Sequence, residues 1–304
     1  MSVLLITLPI FLLIALGVVL RLTRTLTKES IQALNGFVFW VALPAVILIS
    51  FWGIDWTDAT TQRMLLLNTG FLAGFALLLG IAVRVLPVAG ATRGALFTTI
   101  LVGNTVYMGF PLGERALGEA NFDLFLAAAT PHLVIGVAFS ILAIELFTLG
   151  SHSVKRYVKD FALNPLILAL VAGIGLSLSG VSGTAVDLLK QTIGMLAATA
   201  SPVALVTLGA FLTGAFHVKL LPFAMIAALG KLALLPWAII TAGTVVGVEP
   251  ALLTASALAA AMPTAVTSFV IAQKYRANPE LVAAALFVST LASVATIPLL
   301  LVNL

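Results

Sequence analysis

Residues 100–113 read ILVGNTVYMGFPLG, and residues 258–272 read LAAAMPTAVTSFVIA. Each stretch interrupts a long apolar segment with glycine, proline and small hydroxyl residues. Unwound backbone at membrane depth is tolerated only where it is buried in protein or lines a cavity. The two stretches therefore predict two broken membrane helices whose breaks lie in the protein interior.

The composition of the chain places it in a membrane. Of its 304 residues, 62% are hydrophobic and only 9% are charged, which is far more apolar than a soluble domain. The chain has no cysteine, so a disulfide framework and a thiolate metal site are both excluded. No hydrophilic segment is long enough for a soluble catalytic or nucleic-acid-binding domain. We predict no cofactor and no metal site, and the lipid bilayer as the surroundings.

The apolar segments predict an all-α membrane protein with ten transmembrane spans. A membrane helix needs about 20 largely apolar residues. The first segment begins at Met1 without a basic leader, so we interpret it as a mature span. The spans are 2–20, 31–52, 64–86, 94–118, 121–149, 162–181, 187–214, 219–247, 250–274 and 280–302, of which the fourth and ninth are broken.

The basic residues predict the orientation of these spans. If the chain alternates sides at every span, eleven lysines and arginines fall opposite the N-terminus and three fall on its side, with Lys231 inside a span. Cytoplasmic loops carry the excess of lysine and arginine. We therefore predict that the basic side is cytoplasmic and that both termini lie outside.

The two halves of the chain resemble each other. LPIFLLIALGVVL (8–20) parallels NPLILALVAGIGL (164–176), and LPAVILISF (43–51) parallels SPVALVTLGAF (201–211). The broken span is fourth in each set of five. Because five is odd, the second copy inserts upside down, so we predict an inverted repeat with residues 1–150 as the first copy, 151–161 as a cytoplasmic linker and 162–304 as the second.

The breaks predict a site for an anion. Each second half-helix begins near the break, at Phe110–Pro111 and at Ala265–Val266, and helix N-termini favour negative charge. No acidic residue lies at either break, although a cation exchanger needs one there. Gly103, Gly109, Pro111 and Pro263 are expected to shape the breaks. The side chains expected to bind the anion are Asn104, Thr105, Tyr107, Thr264, Thr267 and Ser268.

The motifs GNTVYMGFPLG and MPTAVTSFVIAQKY resemble those of the auxin efflux carrier family, which includes the plant PIN carriers and bacterial dicarboxylate-type carriers. The resemblance covers the whole chain, without the long central cytoplasmic loop of the plant type, and implies the inner (cytoplasmic) membrane of a bacterium. It implies the fold of the bile-acid/sodium symporters and sodium/proton antiporters, in which spans 4 and 9 cross. It also implies a mobile transport domain of spans 3–5 and 8–10, which moves like an elevator against a scaffold of spans 1, 2, 6 and 7 that forms a homodimer.

The same resemblance suggests roles for single residues. Asn104 matches the substrate-contacting asparagine of the family, and Pro111 matches the first crossover proline. Ser268 stands where the plant carriers have the second crossover proline. Asn35 belongs to a stretch of span 2 that matches the plant carriers, and His132 lies where those carriers place a glutamine. We therefore add Asn35 and His132 to the candidate substrate-binding residues.

Three residues have a second interpretation from the sequence. Asn104 could cap a half-helix instead of contacting a ligand. Lys231 could extend its side chain to the membrane surface, or face the carbonyl ends of the broken helices. His132 could be a core histidine bonded to a carbonyl that Pro131 leaves free, or it could contact the substrate.

The function predicted from these features is transport of a small organic anion by alternating access, either as secondary active transport or as facilitated diffusion. The anion could be a carboxylate, a dicarboxylate or auxin-like, and the coupling ion, H⁺ or Na⁺ if any, stays open. The alternative is a sodium- or proton-coupled cation antiporter, for which Glu145 and Glu114 are the only acidic candidates, both off centre. An intramembrane enzyme would need motifs such as HExxH, which the chain lacks. A channel stays open.

Overall fold

The computed structural model describes residues 3–118, 121–149, 159, 162–213 and 218–303. These residues form twelve helices and no extended strand. The predicted linker 151–161 lies outside the described residues, apart from Lys159. The helices are α1 Val3–Leu22, α2 Lys28–Gly53, α3 Ala59–Arg84, α4 Gly90–Leu101, α5 Phe110–Leu117, α6 Phe122–Thr148, α7 Pro165–Ser179, α8 Thr184–Leu212, α9 Leu221–Val245, α10 Pro250–Ala260, α11 Val266–Lys274 and α12 Pro279–Asn303.

Six helices are long and apolar enough to cross a membrane, namely α2, α3, α6, α8, α9 and α12. Shorter apolar helices lie within α1 and at α7 and α10. Large hydrophobic side chains such as Leu66, Leu77 and Met195 are exposed on the surface of the bundle, where lipid can cover them. The predicted all-helical, multi-pass membrane class is confirmed.

Widened helical turns precede three prolines. π-Helical turns occupy Val38–Ala42, Thr105–Gly109 and Gly230–Leu234, and each ends two residues before Pro44, Pro111 or Pro236. Proline has no N–H to donate, and its ring collides with the carbonyl four residues earlier. A widened turn moves that carbonyl aside and so makes room for the proline ring.

The helices pack in two sets of neighbours. In one set α1 packs against α8, α2 against α7, and α2 against α8. In the other set α3, α4 and α10 pack against α6, while α4, α9 and α11 pack against α12. The π-helical turn Thr105–Gly109 contacts α8, so the site described below lies where the two sets meet.

Two glycines allow the close approach of α1 and α8. A Cβ atom on Gly17 would lie 1.9 Å from the carbonyl oxygen of Val206, and one on Gly209 would lie 1.9 Å from that of Ile14. Each helix therefore offers a glycine to the backbone of the other. Small residues of this kind let membrane helices pack backbone to backbone.

Candidate functional site

The two breaks lie against each other in the protein interior. The Asn104 N–H donates to the Pro263 carbonyl over 2.7 Å, and the Ala265 N–H donates to the Val102 carbonyl over 3.1 Å. Together these bonds form an antiparallel bridge at Gly103 and Thr264. Breaking a helix leaves backbone groups without partners, and in lipid such groups must be satisfied inside the protein. Each break thus supplies hydrogen bonds that the other needs.

Thr264 holds the second break in place. Its side-chain hydroxyl donates to the Thr99 carbonyl over 2.9 Å, and its backbone N–H donates to the Ser289 hydroxyl over 3.1 Å. Thr264 is fully buried and lines neither of the two cavities described below. The structure therefore places this predicted substrate contact in the framework of the site.

The side chain of Lys231, a residue of α9, lies against the C-terminal end of α10. Its side-chain nitrogen donates to the carbonyl of Ala260, the last residue of that helix, over 3.0 Å. Helix C-termini carry partial negative charge, which a cation stabilises. The side chain is fully buried, so it does not extend to the membrane surface.

Gly103 is the residue that makes room for Lys231. A Cβ atom at position 103 would lie 2.8 Å from the lysine nitrogen and 3.1 Å from its Cε. Gly109 is similarly confined, because a Cβ there would lie 2.9 Å from the ring of Phe125. Pro111 is in the first turn of α5, whereas Pro263 is inside the second break and accepts the Asn104 hydrogen bond.

A small cavity of about 20 Å³ lies beside the first break. This volume holds about one water molecule. Five predicted site residues line the cavity, together with apolar side chains of α2, α6 and α7, and no acidic residue is among the lining. These five are Asn104, Thr105, Tyr107, His132 and Thr267.

Several polar groups at this cavity have no partner within the protein. The side-chain nitrogen of Asn104 and both ring nitrogens of His132 are buried and make no hydrogen bond to any residue that the structure describes. The interpretation of His132 as a core histidine requires a carbonyl partner, and neither ring nitrogen has one among these residues. An unpaired buried polar group costs about 1–3 kcal/mol. The cavity therefore concentrates hydrogen-bonding capacity that the fold itself does not use.

A second cavity, of about 930 Å³, leads to the same place. It shares Tyr107 and Thr267 with the small cavity, and Asn35 lines it from α2. Its other end lies beside Arg21, Lys28 and Glu280. The ten spans predicted from the sequence assign all three to the side with the excess of basic residues. The wide cavity thus extends from these three residues to the paired breaks.

Not every predicted residue reaches a cavity, and some lining residues were not predicted. Ser268 is buried with an unpartnered hydroxyl and, like Thr264, lines neither cavity. Lys28 and Gln32 share one face of α2 with Asn35, and the spacing of three to four residues could have indicated them. Ser201 of α8 donates to the Tyr107 carbonyl over 3.1 Å, a contact that no local pattern signals.

The fold and this interior site define a multi-pass membrane transport protein. The model of the membrane transport protein family, which is of the auxin efflux carrier type, matches residues 2–156 and 151–301. The chain belongs to this family. The resemblance to auxin efflux carriers is thereby confirmed at the level of the family.

Relatives of similar length match along nearly the whole chain. A "putative malonate transporter" of Rhizobium meliloti is 30% identical over 95% of this chain and 92% of its own. An "uncharacterized transporter" of Methanothermobacter thermautotrophicus is 24% identical over 96% of this chain and 95% of its own. Another "uncharacterized transporter", of Methanocaldococcus jannaschii, is 23% identical over 97% of this chain and 96% of its own. All three relatives are thus named as transporters.

Proposed function

We propose that this protein carries a small organic anion across the membrane by alternating access. The observation that carries the proposal is the small polar cavity at the paired breaks, which adjoins the wide cavity at Tyr107 and Thr267, so that an anion larger than one water molecule can reach its polar groups from the wide cavity. The small cavity offers amide, hydroxyl and imidazole groups to a ligand and has no acidic residue in its lining. A cation antiporter has no anionic substrate and would need a carboxylate there to bind the exchanged cation, so the cavity favours the organic anion over that alternative.

The helix ends around the cavity support the same charge preference. α11 begins at Val266, next to Thr267, which lines both cavities. The other second half-helix begins with the turn Thr105–Gly109, and Thr105 also lines the small cavity. The first N–H groups of a helix have no partner inside it, and they carry partial positive charge. Two such ends beside one cavity favour a carboxylate.

We further propose ten spans arranged as two inverted repeats, with α4 and α5 forming span 4, α10 and α11 forming span 9, and the two broken spans crossing at the bridge. The pattern of helix neighbours supports this arrangement. Exchanging the two halves converts the pair α1–α8 into α7–α2 and the pair α3–α6 into α9–α12, and all four pairs are in contact. The same exchange of halves converts the bridge hydrogen bond that Asn104 donates into the one that Ala265 donates.

The two sets of packed helices correspond to the proposed scaffold (α1, α2, α7, α8) and transport domain (α3–α6, α9–α12). The domain boundaries 1–150 and 162–304 therefore separate the repeats, while each repeat contributes to both units. We place the interface of a homodimer on the outer side of α7 and α8, where large apolar side chains such as Leu168, Val171 and Met195 are exposed. Native mass spectrometry of the purified protein measures its oligomeric state, and a monomer would contradict this proposal.

We propose that the described conformation is open to the cytoplasm of a bacterium. Arg21, Lys28 and Glu280 surround one end of the wide cavity, on the side where the basic residues are concentrated. Basic loops lie in the cytoplasm, so the N-terminus is placed outside. Arg21 and Lys28 would also attract an anion toward the cavity.

The name of the Rhizobium meliloti relative suggests malonate as the first probe. Purified protein in proteoliposomes should show saturable uptake of radiolabelled malonate that accelerates when unlabelled malonate is present on the other side. Succinate, acetate and indole-3-acetate, tested as competitors, would define the substrate class. Flux that neither saturates nor responds to the opposite side would indicate a channel. Sodium or proton exchange without any carboxylate flux would indicate the antiporter alternative.

A further inference from the structure

His132 is a titratable group placed deep in the protein with nothing to bond. It lies in the middle of α6, directly after Pro131, and only 1% of its surface is exposed. Both ring nitrogens lack a partner in the described part of the chain, whereas the neighbouring Thr130 donates its hydroxyl to the Leu126 carbonyl over 2.8 Å. The ring lines the small cavity together with Asn104. Its hydrogen-bonding capacity is therefore available to a bound molecule.

Among the described residues, few charged groups lie around the cavity that His132 lines. Lys231 is packed behind Gly103, which lines the same cavity. Tyr107 is the other titratable group in the lining. α10, which packs on α6, has no charged residue. On α6 itself and on its other neighbours, α3, α4 and α5, charges occur toward the helix ends or away from the cavity, at Asp123, Glu145, Arg63, Arg84, Arg93, Glu114 and Arg115.

We propose that His132 binds a proton together with the transported anion, so that the carrier moves the two in the same direction. The inference rests on the proposed function. A positive charge on His132 beside Lys231 is unfavourable in a low dielectric unless a negative charge lies between or beside them. A carboxylate in the cavity supplies that charge. Conversely, an imidazolium holds the carboxylate more strongly than a neutral ring does.

The proton balance of this step is simple. In the conformation open to the side that carries the excess of basic residues, the anion and one proton enter through the wide cavity. The proton then binds the unprotonated ring nitrogen of a neutral His132. The imidazolium then donates to a carboxylate oxygen. After the conformational change both leave on the other side, and the ring returns neutral. No covalent bond other than N–H forms or breaks.

Isothermal titration calorimetry of the detergent-purified protein with malonate tests the coupling. The titrations are run at about pH 8, where an ordinary histidine with a pKa of about 6.5 is neutral. Comparing buffers of different ionisation enthalpy yields the number of protons taken up per malonate bound. We expect about one proton for the wild type, and an affinity that falls about tenfold per unit of pH above this point, because proton and anion binding are reciprocally linked.

His132→Gln should bind malonate more weakly, with no proton uptake and no dependence of affinity on pH. Tyr107→Phe tests the other titratable group of the lining: its affinity for malonate can fall because Tyr107 lines the site, but each malonate that binds should still take up about one proton. Thermal melts establish that each variant is folded. If His132→Gln does not fold, nitrogen NMR is applied to a His152→Gln/His217→Gln variant. In this variant His132 is the one that remains of the three histidines in the sequence. Adding malonate should then shift its ring nitrogens to imidazolium values.

The outcomes separate this inference from the proposed function. Malonate binding without proton uptake, or with unchanged uptake in His132→Gln, overturns the role of His132 and leaves anion transport intact. Ring nitrogens of His132 that keep the chemical shifts of a neutral imidazole while malonate is bound would likewise overturn the role of His132. If neither malonate nor any other mono- or dicarboxylate binds, the proposed function fails and the coupling fails with it.

Discussion

The backbone amide of Asn104 is hydrogen-bonded to the carbonyl of Pro263 over 2.7 Å, which joins two breaks from opposite halves of the chain. The reciprocal bond from Ala265 to Val102 makes the junction two-sided. Because backbone groups at membrane depth must be satisfied inside the protein, each break depends on the other for a hydrogen-bond partner. The side-chain nitrogen of Asn104 takes no part in the junction and has no partner among the described residues.

Asn104→Ala should remove ligand binding without unfolding the protein. The side-chain nitrogen of Asn104 has no protein partner, and the bond to Pro263 is made by the backbone. We expect the rise in melting temperature caused by malonate to disappear, while the melting temperature without ligand changes little. Asn68→Ala is the matched control. Asn68 donates to the Met64 carbonyl and the Ser256 hydroxyl, so its loss should cost about 1–2 kcal/mol of stability and leave the malonate shift intact.

Gly103→Ala should destabilise the protein by about 1–3 kcal/mol, because the new methyl group would overlap the Lys231 side chain. Thermal melting in detergent measures the effect. Gly70→Ala is the control on α3, where no atom lies within 4 Å of the new Cβ, and it should be neutral or slightly stabilising. Equal melting temperatures for the two variants would contradict the close contact of Gly103 and Lys231.

Lys231→Ala should lower the melting temperature more than it lowers malonate affinity. It leaves the Ala260 carbonyl without its donor, at a cost of about 1–3 kcal/mol, whereas Lys231→Arg retains a donor and should be partly tolerated. A melting curve and a binding isotherm on the same variant distinguish the two roles. Lost binding at unchanged stability would mean that Lys231 is the counter-charge of the substrate.

Gly209→Ala should separate α1 from α8. The added methyl group would collide with the Ile14 carbonyl at 1.9 Å, so we expect a loss of about 1–3 kcal/mol, measured by thermal melting. Gly194→Ala lies on the same helix with no atom within 4 Å, and it should leave the melting temperature unchanged or raised. A milder effect at Gly209 than at Gly194 is incompatible with this packing.

Thr267→Cys should become accessible from both sides of the membrane in turn. Thr267 lines both cavities, and the chain contains no native cysteine to interfere. Membrane-impermeant maleimides should react from the side of Arg21 and Lys28 in the described conformation, and from the other side during turnover with malonate. Thr264→Cys is the comparison, since that side chain lines neither cavity and should react slowly. Labelling of Thr267→Cys from one side under all conditions would argue against alternating access.

The class of the protein follows from its sequence alone. An apolar fraction of 62% requires lipid around most helices, and the paired interruptions at 100–113 and 258–272 require protein around the breaks. These are properties of composition and local backbone, so they need no knowledge of which helices are neighbours. The family motifs GNTVYMGFPLG and MPTAVTSFVIAQKY lie within these same interruptions.

The direction of each polar side chain was decided only by the tertiary structure. Thr264 and Thr267 are three residues apart and equally suited to bind an anion, yet Thr264 is bonded to the Thr99 carbonyl while Thr267 lines the cavities. Lys231 and Gly103 come together because α9 packs beside the end of α10. Such contacts depend on the relative placement of segments far apart in the chain, which no local pattern specifies. The placement of buried polar groups is therefore set by the neighbours that satisfy them.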